Sequence, residues 1–500
     1  MQKTSTESLA SKSLNALKWN YIGRFISLSL QFSIGVVLAR LLGPEPFGLV
    51  AIALFVQGLG NLFAEGGLGS ALIQSQDIDE HDIRSVFTTQ ILIGLITSAV
   101  IIGLAPLLAS FFHEPNATPV IIAMALSFIL QAFGQTANAL IRREFDFKKL
   151  QIISIVSYCI GYIGLGLPMA FMEYGVWSLV VAQLSQTVLN SITTYLYHQH
   201  VIFPLVNPKN CRFLRFGAAI TFNNITSWGI GCIDTAIIGR FFDTATLGIY
   251  NRAFNLLNMP NYAVVSSLQT VLLSTYAKSQ DNKDTVTQTY ILSVGIMALI
   301  FLPVFSAVAA SADAVVLGIY GDKWGAAIPM MTPLAFAIVV HSMLAMTGPM
   351  LTGIGLPRYE LNAQIITLIF SIPALIYAAQ QSIVFFIYTL VGTFLLRFLL
   401  LTIVAHIALK KTPYRFIKIL ITPCIISGIM YVFTYYTNSY QLNFNYDVKL
   451  RLLGNIFSAA IYYMLLLLLF KRLIFSREIK EFILPIKGKI PKPLTKIIGL

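Results

Sequence analysis

The sequence predicts an all-α polytopic membrane protein, and its composition and hydropathy pattern support that prediction. Of its 500 residues, 56% are hydrophobic and only 11% are charged, whereas a soluble domain carries about 25% charged residues. The mean hydropathy is +0.76, and the apolar residues form successive runs of roughly 20 residues or more, the length of a bilayer-crossing helix. This pattern excludes a soluble enzyme, a disordered protein and a nucleic-acid-binding protein as the main interpretation.

We predict about 14 membrane-spanning helices, numbered spans 1 to 14 in chain order. The spans cover 17–40, 46–72, 85–111, 118–141, 151–172, 176–202, 213–241, 246–276, 288–311, 327–353, 360–379, 383–409, 415–436 and 450–470. The connections between them are short, so we expect no extramembrane domain.

Basic residues predict the orientation of the chain. With the N-terminus placed in the cytoplasm, 26 of the 34 Lys and Arg residues fall on cytoplasmic segments and five at outer ends of spans. An excess of Lys and Arg marks cytoplasmic loops, so both termini are predicted to be cytoplasmic. The basic tail 471–500 either lies on the anionic inner leaflet or is a disordered basic tail.

The sequence contains no motif that would assemble a catalytic centre. The four cysteines show no CxxC spacing, so neither a disulfide framework nor a zinc site is predicted. The sequence has no P-loop, HExxH or GxSxG motif. We therefore predict a non-enzyme without a cofactor or a metal site.

An internal repeat predicts the arrangement of the spans. When the chain is shifted by 200 residues, 36–42 aligns with 236–242, and Phe47-Gly48-Leu49 aligns with Leu247-Gly248-Ile249. Each copy contains six spans, an even number, so the copies are parallel and related by an axis along the membrane normal. The predicted parts, listed in order, are an N-lobe 1–205, a C-lobe 206–411, two accessory spans in 412–470 and the cytoplasmic tail 471–500.

Polar residues recur at helical spacing in several spans, which indicates a face turned toward the protein interior or a water-filled cavity. The alternative is that their amides join helices through hydrogen bonds. Spans 3, 5, 9, 11, 13 and 14 show no comparable stripe and are expected to face lipid. The candidate cavity residues are Asn20, Arg24, Gln31, Asn61, Asn224, Arg252, Asn255 and Arg397.

Each of the three arginines inside the spans either faces a cavity or serves only as an anchor for its helix. Arg397 lies near the middle of its span, whereas Arg24 and Arg252 lie close enough to a span end to reach the headgroups. Glu65 and Asp234 either couple transport to an ion or neutralise these arginines. His341 is expected to be a hydrogen-bonded interior residue.

Five sequence segments resemble one family of exporters. They are the runs from Gly35 to Pro44, from Phe47 to Leu49, from Gly66 to Gln74, from Arg142 to Lys148 and from Tyr174 to Val180. Together they resemble Wzx-type polysaccharide flippases of the multidrug/oligosaccharidyl-lipid/polysaccharide (MOP) exporter superfamily, in particular the colanic acid and teichuronic acid exporter branch.

The resemblance implies a function and a location. It implies alternating-access export of an undecaprenyl-diphosphate-linked oligosaccharide across the bacterial plasma (inner) membrane, with the polysaccharide polymerase or export machinery as partner. It also implies that Arg24 and Arg252, by their spans, contact the lipid diphosphate. Two rival functions remain: a drug or cation exporter of the same superfamily, and a membrane-bound glycan polymerase or glycosyltransferase.

Overall fold

The computed structural model describes residues 9–64, 68–75, 78–203, 205, 228–229, 231–410 and 414–470. Over these ranges the regular structure is helical, and eleven helical segments are long and apolar enough to cross a membrane. This confirms the predicted all-α polytopic class, while the count of 14 spans stays a prediction. The chain divides into two compact units, Met1–Asn251 and Arg252–Leu500.

The described residues of the first unit form eight helices and the first turns of a ninth. They are α1 Leu9–Leu42, α2 Pro44–Ala64, α3 Leu68–Gln74, α4 Glu80–Phe111, α5 Ala117–Arg143, α6 Phe147–Phe171, α7 Val176–Tyr197, α8 at 231–241 and the start of α9, Thr244–Lys278. Helix α5 packs against α2, α4 and α7 and forms the centre of the unit. Small residues allow these helices to approach closely: a Cβ at Gly134 of α5 would lie 2.7 Å from the Ser191 Cα of α7.

The described residues of the second unit form the remainder of α9, eight further α-helices and a 3-10 helix, Asp322–Ala327. The further α-helices are α10 Lys283–Ala310, α11 Ala312–Tyr320, α12 Ile328–Leu344, α13 Thr347–Gly353, α14 Pro357–Ala379, α15 Ile383–Leu409, α16 Tyr414–Asn443 and α17 Val448–Leu469. Helix α10 packs against α12 and α16, and α15 packs against α12 and α14. Span 9 forms α10, in which 17 of the 28 residues are buried, so the expectation that this span faces lipid is wrong.

Several helix boundaries differ from the predicted spans. Span 2 is predicted as one helix, but α2 ends at Ala64 and a second helix, α3, begins at Leu68. Span 10 consists of α12 and α13, and the short helix α11 was not predicted. Apolar length predicts that a segment is buried in lipid or protein, but it does not show where the backbone turns within that segment.

The charged segment between α5 and α6 joins the ends of three helices. Arg143 donates hydrogen bonds to the Leu72 and Ser75 carbonyls at the C-terminus of α3. The Asp146 side chain caps α6 by accepting from the Lys149 backbone N–H at 3.2 Å, and it also accepts from the Tyr197 hydroxyl of α7 at 2.7 Å. Basic residues of this loop therefore contribute to packing as well as to orientation.

The repeat aligns the start of α2 with the start of α9, and within the first unit these two helix starts contact each other. A Cβ at Gly48 would lie 1.8 Å from the Thr244 carbonyl oxygen, and a Cβ at Gly248 would lie 2.1 Å from the Pro44 carbonyl oxygen. Gly48 and Gly248 are 200 residues apart, and so are Pro44 and Thr244. Each helix start therefore packs against the other in the same way. The lobe boundary at 205/206 and the accessory role of 412–470 stay predictions, and the tail 471–500 lies outside the described residues.

The accessory helices correct one expectation, since α16 and α17 bury polar residues instead of presenting only apolar side chains to lipid. Arg451 donates to Asp313 Oδ2 of α11, and Asn438 donates to Asp313 Oδ1 at 2.7 Å. Asn455 donates to Asn438 Oδ1 at 2.8 Å. Arg451 lies one residue inside the predicted start of span 14 and is one of the five basic residues that the sequence places at outer ends of spans, so its spacing of four from Asn455 does not register as a polar stripe.

We call Asp313, Asn438, Arg451 and Asn455 the outer polar cluster. Burial opposes ionisation of the Asp313 carboxyl, but hydrogen bonds from Asn438 and Arg451 outweigh it and lower its pKa. Arg451 is only 4% exposed. A buried guanidinium is stabilised when a carboxylate and hydrogen bonds compensate its lost hydration. The cluster supplies both to Arg451 Nη2, while its Nε has no partner among the described residues.

Candidate functional site

Arg397 is the predicted site residue with the most unusual environment. It lies near the middle of α15, about 18 Å from the helix end at Leu409. The side chain is half-buried, and its Nε is buried without a hydrogen-bond acceptor among the described residues. An unpaired buried donor on a charged group is costly, so a hydrogen-bond acceptor for this Nε would stabilise the guanidinium.

The two helices that pack against α15 each carry a titratable residue, Glu360 on α14 and His341 on α12. The His341 Nδ1 is buried without a hydrogen-bond partner among the described residues, and its ring packs edge-on against Phe394 at 5.5 Å. The expected hydrogen bond of His341 is therefore not formed at Nδ1.

Glu360 is a half-buried carboxylate that the sequence analysis does not single out. It lies in the first turn of α14, at the predicted start of span 11. Its Oε1 accepts a hydrogen bond from the Gln364 amide at 3.2 Å. The carboxyl group packs over α13 at Gly348, where a Cβ would lie 2.7 Å from Oε1.

Asp234 is buried in α8 and satisfied by its neighbours. The Tyr250 hydroxyl of α9 donates to Oδ2, and the Thr235 backbone N–H donates to Oδ1 at 2.8 Å. Among the described residues no arginine is paired with this carboxylate. Its role in ion coupling stays a prediction, and Glu65, the other predicted coupling residue, lies outside the described residues.

Of the predicted cavity residues on α1, one contacts a neighbouring helix and two are exposed. The Asn20 Oδ1 accepts from the Gln151 amide of α6 at 3.1 Å, as expected for an amide that joins two helices. Arg24 and Gln31, farther along α1, are exposed. The helix thus places one predicted residue against α6 and leaves the other two on its accessible surface.

Asn61 of α2 has an unpaired polar atom in a buried position. Its Oδ1 has no hydrogen-bond partner among the described residues. One turn earlier, the Gln57 amide donates to the Ser127 hydroxyl of α5 at 2.6 Å. The two polar residues of α2 therefore differ, because Gln57 joins two helices and Asn61 keeps an acceptor available. Asn224 lies outside the described residues.

The α9 stripe also combines both interpretations. Arg252 is half-buried and interacts electrostatically with Tyr320 of α11, whereas Asn255 is exposed. Farther along, the Asn261 amide donates to Asn258, and the Ser342 hydroxyl of α12 donates to Asn261 at 2.7 Å. This last chain of hydrogen bonds joins α9 to α12.

These features define a polytopic all-α membrane protein with buried charges and amides along its helices. The chain belongs to the polysaccharide biosynthesis protein family, whose model matches residues 37–329. The family resemblance inferred from the sequence motifs is thereby confirmed.

Three curated relatives span most of the chain. They are the lipopolysaccharide biosynthesis protein WzxC of Escherichia coli strain K12, the succinoglycan biosynthesis transport protein ExoT of Rhizobium meliloti strain 1021, and the teichuronic acid biosynthesis protein TuaB of Bacillus subtilis strain 168. WzxC is 22% identical over 75% of this chain and 77% of its own length. ExoT is 25% identical over 67% and 68%, and TuaB is 22% identical over 80% and 84%.

Two solved structures share the fold. The lipid II flippase MurJ superposes with a TM-score of 0.73 at 15% identity, covering 91% of this chain and 99% of MurJ. A multidrug resistance MATE family transporter of the MOP superfamily gives a TM-score of 0.60 at 17% identity, covering 78% of this chain and 99% of that protein.

Proposed function

We propose that this protein moves a lipid-linked oligosaccharide across the bacterial plasma membrane by alternating access, for surface polysaccharide biosynthesis. The family and the names of the relatives support transport in polysaccharide biosynthesis. The fold shared with a lipid II flippase supports a lipid-linked cargo. The cargo proposed is an undecaprenyl diphosphate carrying the glycan unit, moved from the inner to the outer leaflet, with both protein termini in the cytoplasm.

The observation that carries the proposal is the unpaired guanidinium of Arg397 in the middle of a membrane helix. A diphosphate supplies the acceptors that Arg397 lacks, because guanidinium groups bind phosphate oxygens bidentately. Arg24 and Arg252 would add positive charge along the path, and the amides of Asn61 and Asn255 suit the sugar hydroxyls. A polymerase would then receive the cargo at the outer leaflet.

An export assay with Arg397 variants tests this function. In a strain whose own copy is deleted, we expect Arg397→Ala to lose export and to accumulate undecaprenyl-diphosphate oligosaccharide on the inner leaflet. Arg397→Lys keeps the charge but loses the planar fork, so we expect partial export. Arg415→Ala, an arginine at the start of α16, is the matched control and should export normally at equal membrane levels.

The same strain separates the rival functions. A glycan polymerase or glycosyltransferase predicts that deletion removes or alters the lipid-linked intermediates instead of trapping them. A drug exporter predicts greater sensitivity to organic cations with normal surface polysaccharide. Full export by Arg397→Ala at normal membrane levels would overturn the cationic site.

A further inference from the structure

The end of α4 and the turn after it are bound to α8 through one arginine. Arg240 donates a hydrogen bond from Nη1 to the Phe111 carbonyl oxygen at 2.7 Å. The same nitrogen lies 2.6 Å from Nε2 of the His113 ring, a distance at which a neutral imidazole nitrogen accepts a hydrogen bond. The guanidinium also lies over the Phe111 ring, 5.5 Å from its centre. A single side chain of α8 therefore makes three contacts with the end of α4 and its turn.

The same turn is also bound to the start of α9. The Thr244 hydroxyl donates to Glu114 Oε2 at 2.6 Å, and the other carboxylate oxygen accepts from the Asn116 backbone N–H at 3.3 Å. Close packing adds to these bonds, since a Cβ at Gly239 of α8 would lie 2.8 Å from Cδ1 of the Phe112 ring. Hydrogen bonds and packing thus join the turn after α4 to both helices that flank the α8–α9 connection.

The backbone of this turn is fixed by a Schellman motif at the end of α4. The Glu114 N–H donates to the Ala109 carbonyl at 3.0 Å, and the His113 N–H donates to the Ser110 carbonyl at 3.1 Å, which are the two bonds that define the motif. His113 occupies the left-handed position with a φ of 53°, where glycine is the usual residue because a Cβ costs free energy there. At a position that favours glycine, the chain therefore carries an imidazole that contacts Arg240.

The segments that meet here come from different copies of the repeat. Helices α4 and α5 correspond to spans 3 and 4 of the first copy, whereas α8 and α9 lie in spans 7 and 8 of the second copy. In the predicted orientation, both connections are on the outer side of the membrane. Alternating access moves one copy against the other, so release of a cargo on the outer side would separate these segments.

We propose that Phe111, His113, Glu114, Arg240 and Thr244 form an outer latch, which holds the two copies together on the outer side between export events. This inference rests on the proposed function and adds a conformational role for residues outside the candidate cavity. The hydrogen bonds between the two segments exist only while the segments touch, so together they set the ratio of closed to open molecules. Water can replace each bond at a small net cost in free energy, which makes the latch reversible.

A distance measurement between the two segments tests the latch. Spin labels are attached at Asn116→Cys and Phe241→Cys, both exposed positions, in the full-length protein in nanodiscs, with the four native cysteines replaced by alanine. Thr244→Val keeps the shape of the side chain but removes the hydroxyl donor, and His113→Gly removes the imidazole while favouring the left-handed turn. We expect the two substitutions together to raise the ratio of long to short label distances about tenfold.

Matched variants separate the latch from a disturbed turn. Glu173 occupies the same left-handed position of a Schellman motif at the end of α6, with a φ of 62°, so Glu173→Gly should leave the label distances unchanged. Thr244→Ser keeps the hydroxyl and should give the distances of the unmodified protein. If His113→Gly and Glu173→Gly lengthen the distance equally, the cause is glycine in a turn and the latch is overturned.

A reversible cross-link between the same two cysteines tests whether the latch has to open during export. A cleavable bifunctional thiol reagent that joins Asn116→Cys to Phe241→Cys should abolish export, and reduction should restore it. Either single-cysteine variant should export normally in the presence of the reagent.

The outcomes separate the latch from the proposed function. Unchanged label distances in the protein with both Thr244→Val and His113→Gly, or normal export by the cross-linked protein, would overturn the latch. The distance measurement uses no cargo and so does not depend on what is exported. Normal surface polysaccharide after deletion of the gene would instead reject the proposed function, whatever the label distances are.

Discussion

At the scale of single residues, adjacent basic side chains in this protein have different roles. Arg142 and Arg143 count equally toward the predicted orientation of the chain, yet their contacts differ. Arg142 is exposed and bonds to Asn138 of its own helix at 2.7 Å. Arg143 is half-buried and reaches the C-terminus of α3, where it binds two carbonyls that have no partner within that helix.

The first stability prediction concerns this pair. Arg143→Ala should lower the free energy of unfolding by about 1–3 kcal/mol, because charge-assisted bonds to the end of α3 are lost. Arg142→Ala should change it by less than about 0.5 kcal/mol. Thermal unfolding of the purified proteins in one detergent gives the comparison, and equal losses for the two variants would contradict the capping role.

At the scale of helices, the sequence predicted most of the spans because apolar length is a local property. It predicted less well the features that depend on which helices meet. The inward polar face of α17 was missed, because Arg451 is four residues from Asn455 but close to a span end. Arg397 was found because no span end is near it, so its burial follows from its position alone.

The outer polar cluster supports a prediction about the attachment of α16 and α17. Removing Arg451 leaves the Asp313 carboxylate without its cation, so Arg451→Ala should destabilise the protein by about 3–5 kcal/mol. Lys449→Ala, at an exposed cation two residues earlier, is the control and should be nearly neutral. The measurement is thermal unfolding, with limited proteolysis of the α16–α17 connection as a local readout.

A double variant shows whether Arg451 and Asp313 stabilise the protein as a pair. Since apolar replacements of a whole buried ion pair are often neutral, Arg451→Met combined with Asp313→Leu should recover most of the stability lost by Arg451→Ala. If the double variant is as unstable as the sum of its single variants, the two side chains stabilise the protein independently, and the cluster does not act as a unit.

At the scale of the whole chain, the repeat is a physical relation as well as a sequence pattern. Alignment of Gly48 with Gly248 predicted related helix starts, but it could not predict that these starts touch each other. The reciprocal contact needs glycine at both positions, because in each case a side chain would overlap a backbone carbonyl of the repeat mate. Backbone atoms cannot move aside as a flexible side chain does, so both positions are intolerant of any Cβ.

The last prediction tests this reciprocity. Gly48→Ala and Gly248→Ala should each lower the free energy of unfolding by about 1–3 kcal/mol, the usual range for overpacking, and their effects should be similar because their environments are related. Gly103→Ala in α4 is the control, since a Cβ there meets nothing within 4 Å and alanine favours the helix by about 1 kcal/mol. Because the two glycines share one contact, the double variant should cost clearly less or clearly more than the sum of the single variants. Additive losses, or a loss confined to one glycine, would show that the two helix starts are not a single reciprocal contact.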